Sequence, residues 1–182
     1  MRNSVYLIIL SLTTILLHSC KPDGEKDDEG NELITSVFMH FTDSANQTTT
    51  FKWRQPGGPG ARITRDTILL DSGLTYRVRV EIWDESQTPA VDVTPDIRRT
   101  QNEHRFVYTS TTEAINIVVN DFDTNNPPME VGLDITVSTF GSGPRSGMLK
   151  AVLRHYSRRS PKTAGPMAGS TDIDVEFPLV IR

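Results

Sequence analysis

Apolar and polar residues alternate with a period of two along most of the chain beyond position 32. The clearest run is residues 74–83, LTYRVRVEIW. Leu74, Tyr76, Val78, Val80 and Ile82 fall on one side, and Thr75, Arg77, Arg79, Glu81 and Trp83 on the other. Successive side chains of a strand point to opposite faces, whereas a helix would spread those arginines around its circumference, so the run predicts a half-buried strand. The C-terminus repeats the pattern, with Ile173, Val175, Phe177, Leu179 and Ile181 against Asp172, Asp174, Glu176 and Pro178. Pro178 has no amide hydrogen, which predicts a sheet edge or a bulge there. Residues 33–42 place Leu33, Val37, Met39 and Phe41 together, and residues 48–55 set Phe51 and Trp53 opposite Lys52 and Arg54. Stretches 62–70, 105–109, 114–120, 131–140 and 148–156 complete the series.

Loops rich in Gly, Pro, Asn and Asp separate these runs: PGGPG at 56–60, DFDTNNPP at 121–128 and GSGPRSG at 141–147. Strands with one apolar face form antiparallel sheets with a solvated side. Two such sheets bury their apolar faces against each other, so the expected fold is all-β: an antiparallel two-sheet sandwich, immunoglobulin-like, of about seven to nine strands. The helix candidate is 94–101, with Thr94 as cap and Pro95 in the first turn. Roughly 150 residues from Leu33 onward suit a single domain with a core that needs no disulfide.

Residues 1–19 have the parts of a secretory signal: Arg2, an apolar run over 5–17 and a small residue, Ser19. The run is short of the ~20 residues a membrane-spanning helix needs. Cys20, the sole cysteine, follows directly. Leu17-His18-Ser19-Cys20 resembles a bacterial lipobox, which implies cleavage before Cys20 and acylation of that residue. Each buried methylene contributes ~0.8 kcal/mol, so two or more acyl chains anchor a protein stably without spanning the bilayer. Residues 20–32 then read as the lipidated cysteine and an acidic tether, KPDGEKDDEGNE, too polar to bury surface of its own. Residues 33–182 form the single sandwich domain. Removing residues 1–19 takes away one arginine and moves the formal net charge from −4 to −5. That balance argues against nucleic acid, which calls for a basic face.

Signatures of catalysis are sparse. The chain has no Gly-x-Ser-x-Gly elbow, and PGGPG lacks the lysine and helix of a phosphate loop. His40, His104 and His155 are distant in sequence; a zinc site would need them to converge in space, and solvent-facing strand histidines are the simpler reading. Asp172, Asp174 and Glu176 offer carboxylate spacings that a glycoside hydrolase could use, but a solvated strand face explains them more simply. Asp121, Asp123 and Asn125 place oxygens at alternate loop positions, the one hint of calcium; an EF-hand is excluded because Asn126 and Gly132 occupy its glycine and acid positions. The competing reading is a turn closed by Asx hydrogen bonds and stopped by Pro127-Pro128. Trp53 shares a face with Phe51 and belongs to the core. Trp83 lies on the polar face of the best strand and is a candidate glycan contact or a rim-shielding aromatic.

With leader, acidic tether and strand series together, the chain resembles the small single-domain lipoproteins of Bacteroidota, a group with no assigned activity. The resembling stretches are LITSVFMHFT, TTTFKWRQPGG, LTYRVRVEIWDES, NEHRFVYT, DFDTNNPPMEVGLDITV, GMLKAVLRH and TDIDVEFPLVI, which cover most of 33–181. Some members carry a type 1 periplasmic-binding label, which this all-β pattern does not support. Lys26-Asp27-Asp28-Glu29 is similar to the basic-then-acidic signal that sends such lipoproteins to the outer face of the outer membrane. The resemblance implies an outer-membrane lipoprotein and transfers no catalytic residue. The expected function is a lipid-anchored, non-enzymatic binding or interaction module whose partners are the membrane, through its lipid, and a glycan or a protein. A glycan-binding accessory lipoprotein of a polysaccharide-uptake system is the alternative, and a hydrolase the weakest reading. No cofactor is expected beyond the covalent lipid and the calcium hint.

Overall fold

The computed structural model describes residues 33–182. The leader, Cys20 and the acidic tether lie outside the described residues. Among the described residues the chain forms eleven strands: β1 (Ser36–Thr42), β2 (Thr48–Arg54), β3 (Thr64–Arg65), β4 (Ile68–Leu70), β5 (Thr75–Asp84), β6 (Val91–Asp92), β7 (His104–Ser110), β8 (Ile115–Val119), β9 (Asp134–Thr139), β10 (Arg145–His155) and β11 (Ser170–Ile181). One sheet runs β3-β2-β1-β5-β9-β8, with β6 pairing onto the end of β5; the other runs β4-β11-β10-β7. All pairs are antiparallel except β4 with β11, which is parallel. The two layers make an all-β sandwich.

The alternation read from the sequence sets which faces meet. Val37, Met39 and Phe41 from β1, Phe51 and Trp53 from β2, and Tyr76, Val78, Val80 and Ile82 from β5 are all buried. They pack against Leu149, Ala151 and Leu153 of β10 and Ile173, Val175, Phe177, Leu179 and Ile181 of β11 in one continuous core. Each fully buried Val, Leu, Ile, Phe or Met among them contributes about 1.5–3 kcal/mol by leaving water. The outer faces carry cross-strand pairs such as Lys150 with Asp174 at 2.8 Å and Arg77 with Asp134 at 2.7 Å.

Three local expectations change, and the one for Pro178 holds only locally. Residues 62–70 do not form one strand: β3 pairs with β2 in the first sheet and β4 with β11 in the second, so the chain crosses between layers at Asp66-Thr67. That crossing, with the two-residue β6, accounts for much of the excess over the expected strand count. Pro178 lies in a strand with neighbours on both sides rather than on an outermost strand. However, β4 pairs only with Leu179, Val180 and Ile181, so position 178 is a local edge. Leu33 and Leu74 are exposed, because each falls just outside the paired part of its strand. The helix (α1, Thr94–Arg99) forms, but its cap is Val93. Thr94 instead accepts a hydrogen bond at Oγ1 from the Ile82 amide, 2.8 Å. The hydroxyl therefore ties α1 to β5, and Ile97 fills the space beneath. A 3₁₀ turn, Gln101–Glu103, leads from α1 into β7.

Candidate functional site

Strand parity places His104 and His155 inside the sandwich. His104 lies two residues before Phe106 on β7, and His155 two residues after Leu153 on β10, and both of those residues are core. The register sets His155 directly opposite His104, two positions beyond the Leu153–Phe106 pair. Their rings lie 4.7 Å apart between centroids. The simpler reading of solvent-facing histidines is thus corrected for these two: His104 is 3% exposed and the His155 side chain 14%. His40 does belong to an outer face. Its Nδ1 lies 2.8 Å from Thr50 Oγ1 and its Nε2 3.2 Å from Glu81, on the other sheet.

A third residue reaches the pair through an irregularity in the ladder. Leu153 pairs with Ile173, but Arg154 pairs with Thr171, so Asp172 is an extra residue on β11. A bulge of this kind re-aims side chains. Simple alternation sets Asp172 with Asp174 and Glu176 on the outer face; instead its side chain is 1% exposed and faces the histidines. Asp172 Oδ2 is 3.6 Å from His104 Nε2, and Oδ1 is 3.8 Å from His155 Nδ1. Neither carboxylate oxygen has a hydrogen-bond partner. Asp174 keeps the outward position and pairs with Lys150.

The electrostatics of this cluster are unbalanced. Burial pushes the Asp172 carboxyl up to about 6, against the pull of His155 and Arg154. Burial pushes His104 down to about 4, although the Thr100 carbonyl favours its protonated form and His155 and Lys162 oppose it. At neutral pH the result is a buried carboxylate beside a neutral imidazole. His104 Nδ1 lies 3.0 Å from both the carbonyl and the hydroxyl of Thr100; the carbonyl can only accept and the hydroxyl gives its proton to the Asp96 carbonyl, so the ring proton belongs on Nδ1 and Nε2 turns a lone pair toward Asp172.

The cluster lies at one rim of the sandwich. Residues 156–169 fold back over it, held by Arg154, which donates to the carbonyls of Met167 (2.9 Å), Ala168 (3.2 Å) and Gly169 and to Thr171 Oγ1. A cleft of about 270 Å³ opens beside His155, walled by Ser157, Arg159, Ser160, Gly169 and Ser170. A second, of about 320 Å³, shares Ser157 and is bounded by Asn102, Asn125, Met129, Tyr156 and Lys162, among others.

The Asp121–Asn125 loop borders this second cleft, and its oxygens are already engaged. Asp121 accepts from the amides of Gly132, Leu133 and Asp134 at 2.9–3.2 Å. Asp123 accepts from the Asn125 amide and side chain, from the Met129 amide and from Lys162 Nζ at 2.8 Å. A calcium ion would have to displace a buried ammonium and several amides, so the geometry favours the turn closed by Asx bonds. Trp83 is half-buried on the outer face of the first sheet, stacked on Phe38 at 6.1 Å and 27°. Lys52 Nζ lies 4.9 Å from the Phe38 ring centroid. Trp83 lines neither rim cleft.

Sequence reasoning considered the histidines and Asp172 in separate roles and did not join them. The legible signal was that His104 and His155 continue the inward parity of Phe106 and Leu153. The bulge that brings in Asp172 has no such signal. No family model, curated protein or solved structure matches this chain.

Proposed function

We propose that this chain is a lipid-anchored outer-membrane protein whose β-sandwich acts as a non-enzymatic binding module. The observation that carries the proposal is Cys20, the sole cysteine, placed directly after an apolar leader ending Leu17-His18-Ser19. A lone thiol has no disulfide partner in the chain, whereas acylation gives it a use. Thirteen residues, 20–32, separate the lipid from the domain and reach at most about 45 Å when extended. Among the described residues no helix is long and apolar enough to cross a membrane. The rim clefts combine polar side chains such as Asn102, Ser157 and Ser160 with apolar walls from Pro127, Met129, Tyr156 and Pro161, and so supply concave mixed surface for a small ligand or a partner's side chain. The Lys26–Glu29 charge pattern supports export to the outer membrane.

The test is fractionation. Wild-type protein should stay with membranes through a high-salt wash and leave them in detergent, and Cys20→Ala should move to the soluble fraction. Cys20→Ala remaining membrane-bound after the wash would overturn lipid anchoring.

A glycan-binding accessory role is the second reading, favoured by the Phe38–Trp83 pair on a solvent face. Stacking on a sugar ring needs an accessible aromatic face, and part of Trp83 is accessible. Wild type retarded in gels containing immobilised polysaccharide, with Trp83→Ala running freely, would support it; unretarded wild type would remove it.

A further inference from the structure

We propose that His104 Nε2, His155 Nδ1 and the Asp172 carboxylate together hold one divalent transition-metal ion, with a fourth position open toward the cleft beside His155. The inference does not depend on lipidation or on the binding role above.

Three observations carry it. First, the donor atoms already converge: the potential ligand atoms of the three residues all lie within 4.8 Å of one another. Two ligands at 2.0–2.2 Å from a tetrahedral zinc are about 3.3–3.6 Å apart. The 3.6 and 3.8 Å separations run to the two different carboxylate oxygens and need contractions of a few tenths of an ångström; the widest edge of the triangle, at most 4.8 Å, needs about 1.2 Å, within reach of a side-chain rotation. Second, the contacts are otherwise unfavourable. Asp172 is 1% exposed and makes no hydrogen bond through either oxygen. His104 Nε2 presents a lone pair to one of those oxygens, because its proton is committed to the Thr100 carbonyl. Two acceptors facing each other in a buried space repel, and a cation between them removes the repulsion and neutralises the carboxylate. Third, the outer partners fit. A metal-bound histidine commonly donates its other ring N–H to a carbonyl, as His104 does to Thr100, which fixes the tautomer and aims the free nitrogen.

The ligand set decides the class of ion. Two imidazoles and one carboxylate suit zinc and its first-row neighbours, whereas calcium and magnesium prefer all-oxygen sites. Three protein ligands leave one position of a tetrahedral ion for water or a small anionic ligand. The His155 side chain is 14% exposed and lines a cleft, so exchange from solvent has a route. The bulge at Asp172 then has a purpose, since it places the one anionic ligand where two strand histidines meet.

The experiment uses the purified full chain stripped with EDTA and titrated with Zn²⁺ at neutral pH. Calorimetry should give one site per chain, and zinc should raise Tm. Cobalt should give the visible bands of a four-coordinate ion. His104→Ala and His155→Ala should each weaken zinc binding by well over about tenfold, the lower end of the loss from removing even an outer partner. His40→Ala should bind as wild type. Asp172→Asn guards against misfolding: it keeps the packing and removes a buried charge, so in EDTA it should melt at or above wild type, yet it should lose the zinc-dependent rise. A wild type with neither heat nor Tm shift on zinc addition would overturn the proposal, as a shared proton or a bridging water would then hold the cluster. A zinc response unchanged in His104→Ala and Asp172→Asn would also overturn it.

Discussion

Among the buried polar groups, Lys162 and Asp123 pose the sharpest energetic question. The Lys162 side chain is 2% exposed and the Asp123 side chain 0%, with Nζ 2.8 Å from Oδ2. Lys162 also donates to the Gln101 carbonyl at 2.8 Å, so the pair ties the 121–128 loop and the 3₁₀ turn to the rim. Burial pushes the Lys162 ammonium below its ordinary value, and Asp123 only partly restores it. Burial pushes the Asp123 carboxyl up, but Lys162, the Met129 amide and Asn125 outweigh it, leaving the group below 3.8. The two shifts differ because Asp123 collects several donors and Lys162 fewer acceptors. Lys162→Met should cost about 3–5 kcal/mol in chemical denaturation, since it strands a buried carboxylate. Asp123→Asn with Lys162→Met should recover most of that. The depressed Asp123 pKa also sets a pH dependence: its stabilisation is full above the ordinary carboxylate value and is lost as pH falls through the lower native one. Asp123→Asn should therefore show a shallower acid limb than wild type below about pH 4. Parallel limbs would refute the assignment.

The β10–β11 hairpin is the element that builds the rim. Its connection returns past its own strand so closely that Gly169 is required. That residue has φ +76°, and a Cβ placed there would lie 2.1 Å from the His155 carbonyl oxygen. Gly165 is also left-handed, at φ +117°, but a Cβ there would meet nothing within 4 Å. Gly169→Ala should thus lower Tm clearly more than Gly165→Ala, which bears backbone strain without the clash. Because the clash falls on the His155 backbone, Gly169→Ala should also weaken zinc binding. Equal Tm losses in the two variants would mean that the close approach contributes nothing.

At the scale of the whole molecule, the described residues share one core between both sheets, so the layers should not unfold separately. Phe177 is fully buried in that core. Phe177→Ala should cost about 3–5 kcal/mol. At about 2–4 °C per kcal/mol this lowers Tm by ~10 °C. Trp53 is 5% exposed and lies in the opposite sheet from Phe177, so tryptophan emission and far-ultraviolet dichroism should shift together in the variant. Transitions that separate would show the sheets to be independent units.

Much of this architecture follows from local pattern. Alternation fixed the inward side of β1, β2, β5 and β11, because a strand's side chains change face at every residue whatever its neighbours are. The same rule made Trp53 core, while the tendency of short Asp and Asn side chains to bond their own backbone offered the polar turn at residues 121–125 beside the calcium reading. The apolar run over residues 5–17 and the cysteine at position 20 are equally local, and the proposal of a lipid anchor rests on them. Tertiary structure alone decided which strands are adjacent, where the chain crosses at Asp66-Thr67, and that His104 and His155 meet across β7 and β10. It also decided the position of Asp172. Period two assigns a face but names no neighbour, and one extra residue in a ladder reverses the face it assigns. The site depends on both, so it exists only once residues far apart in sequence have paired.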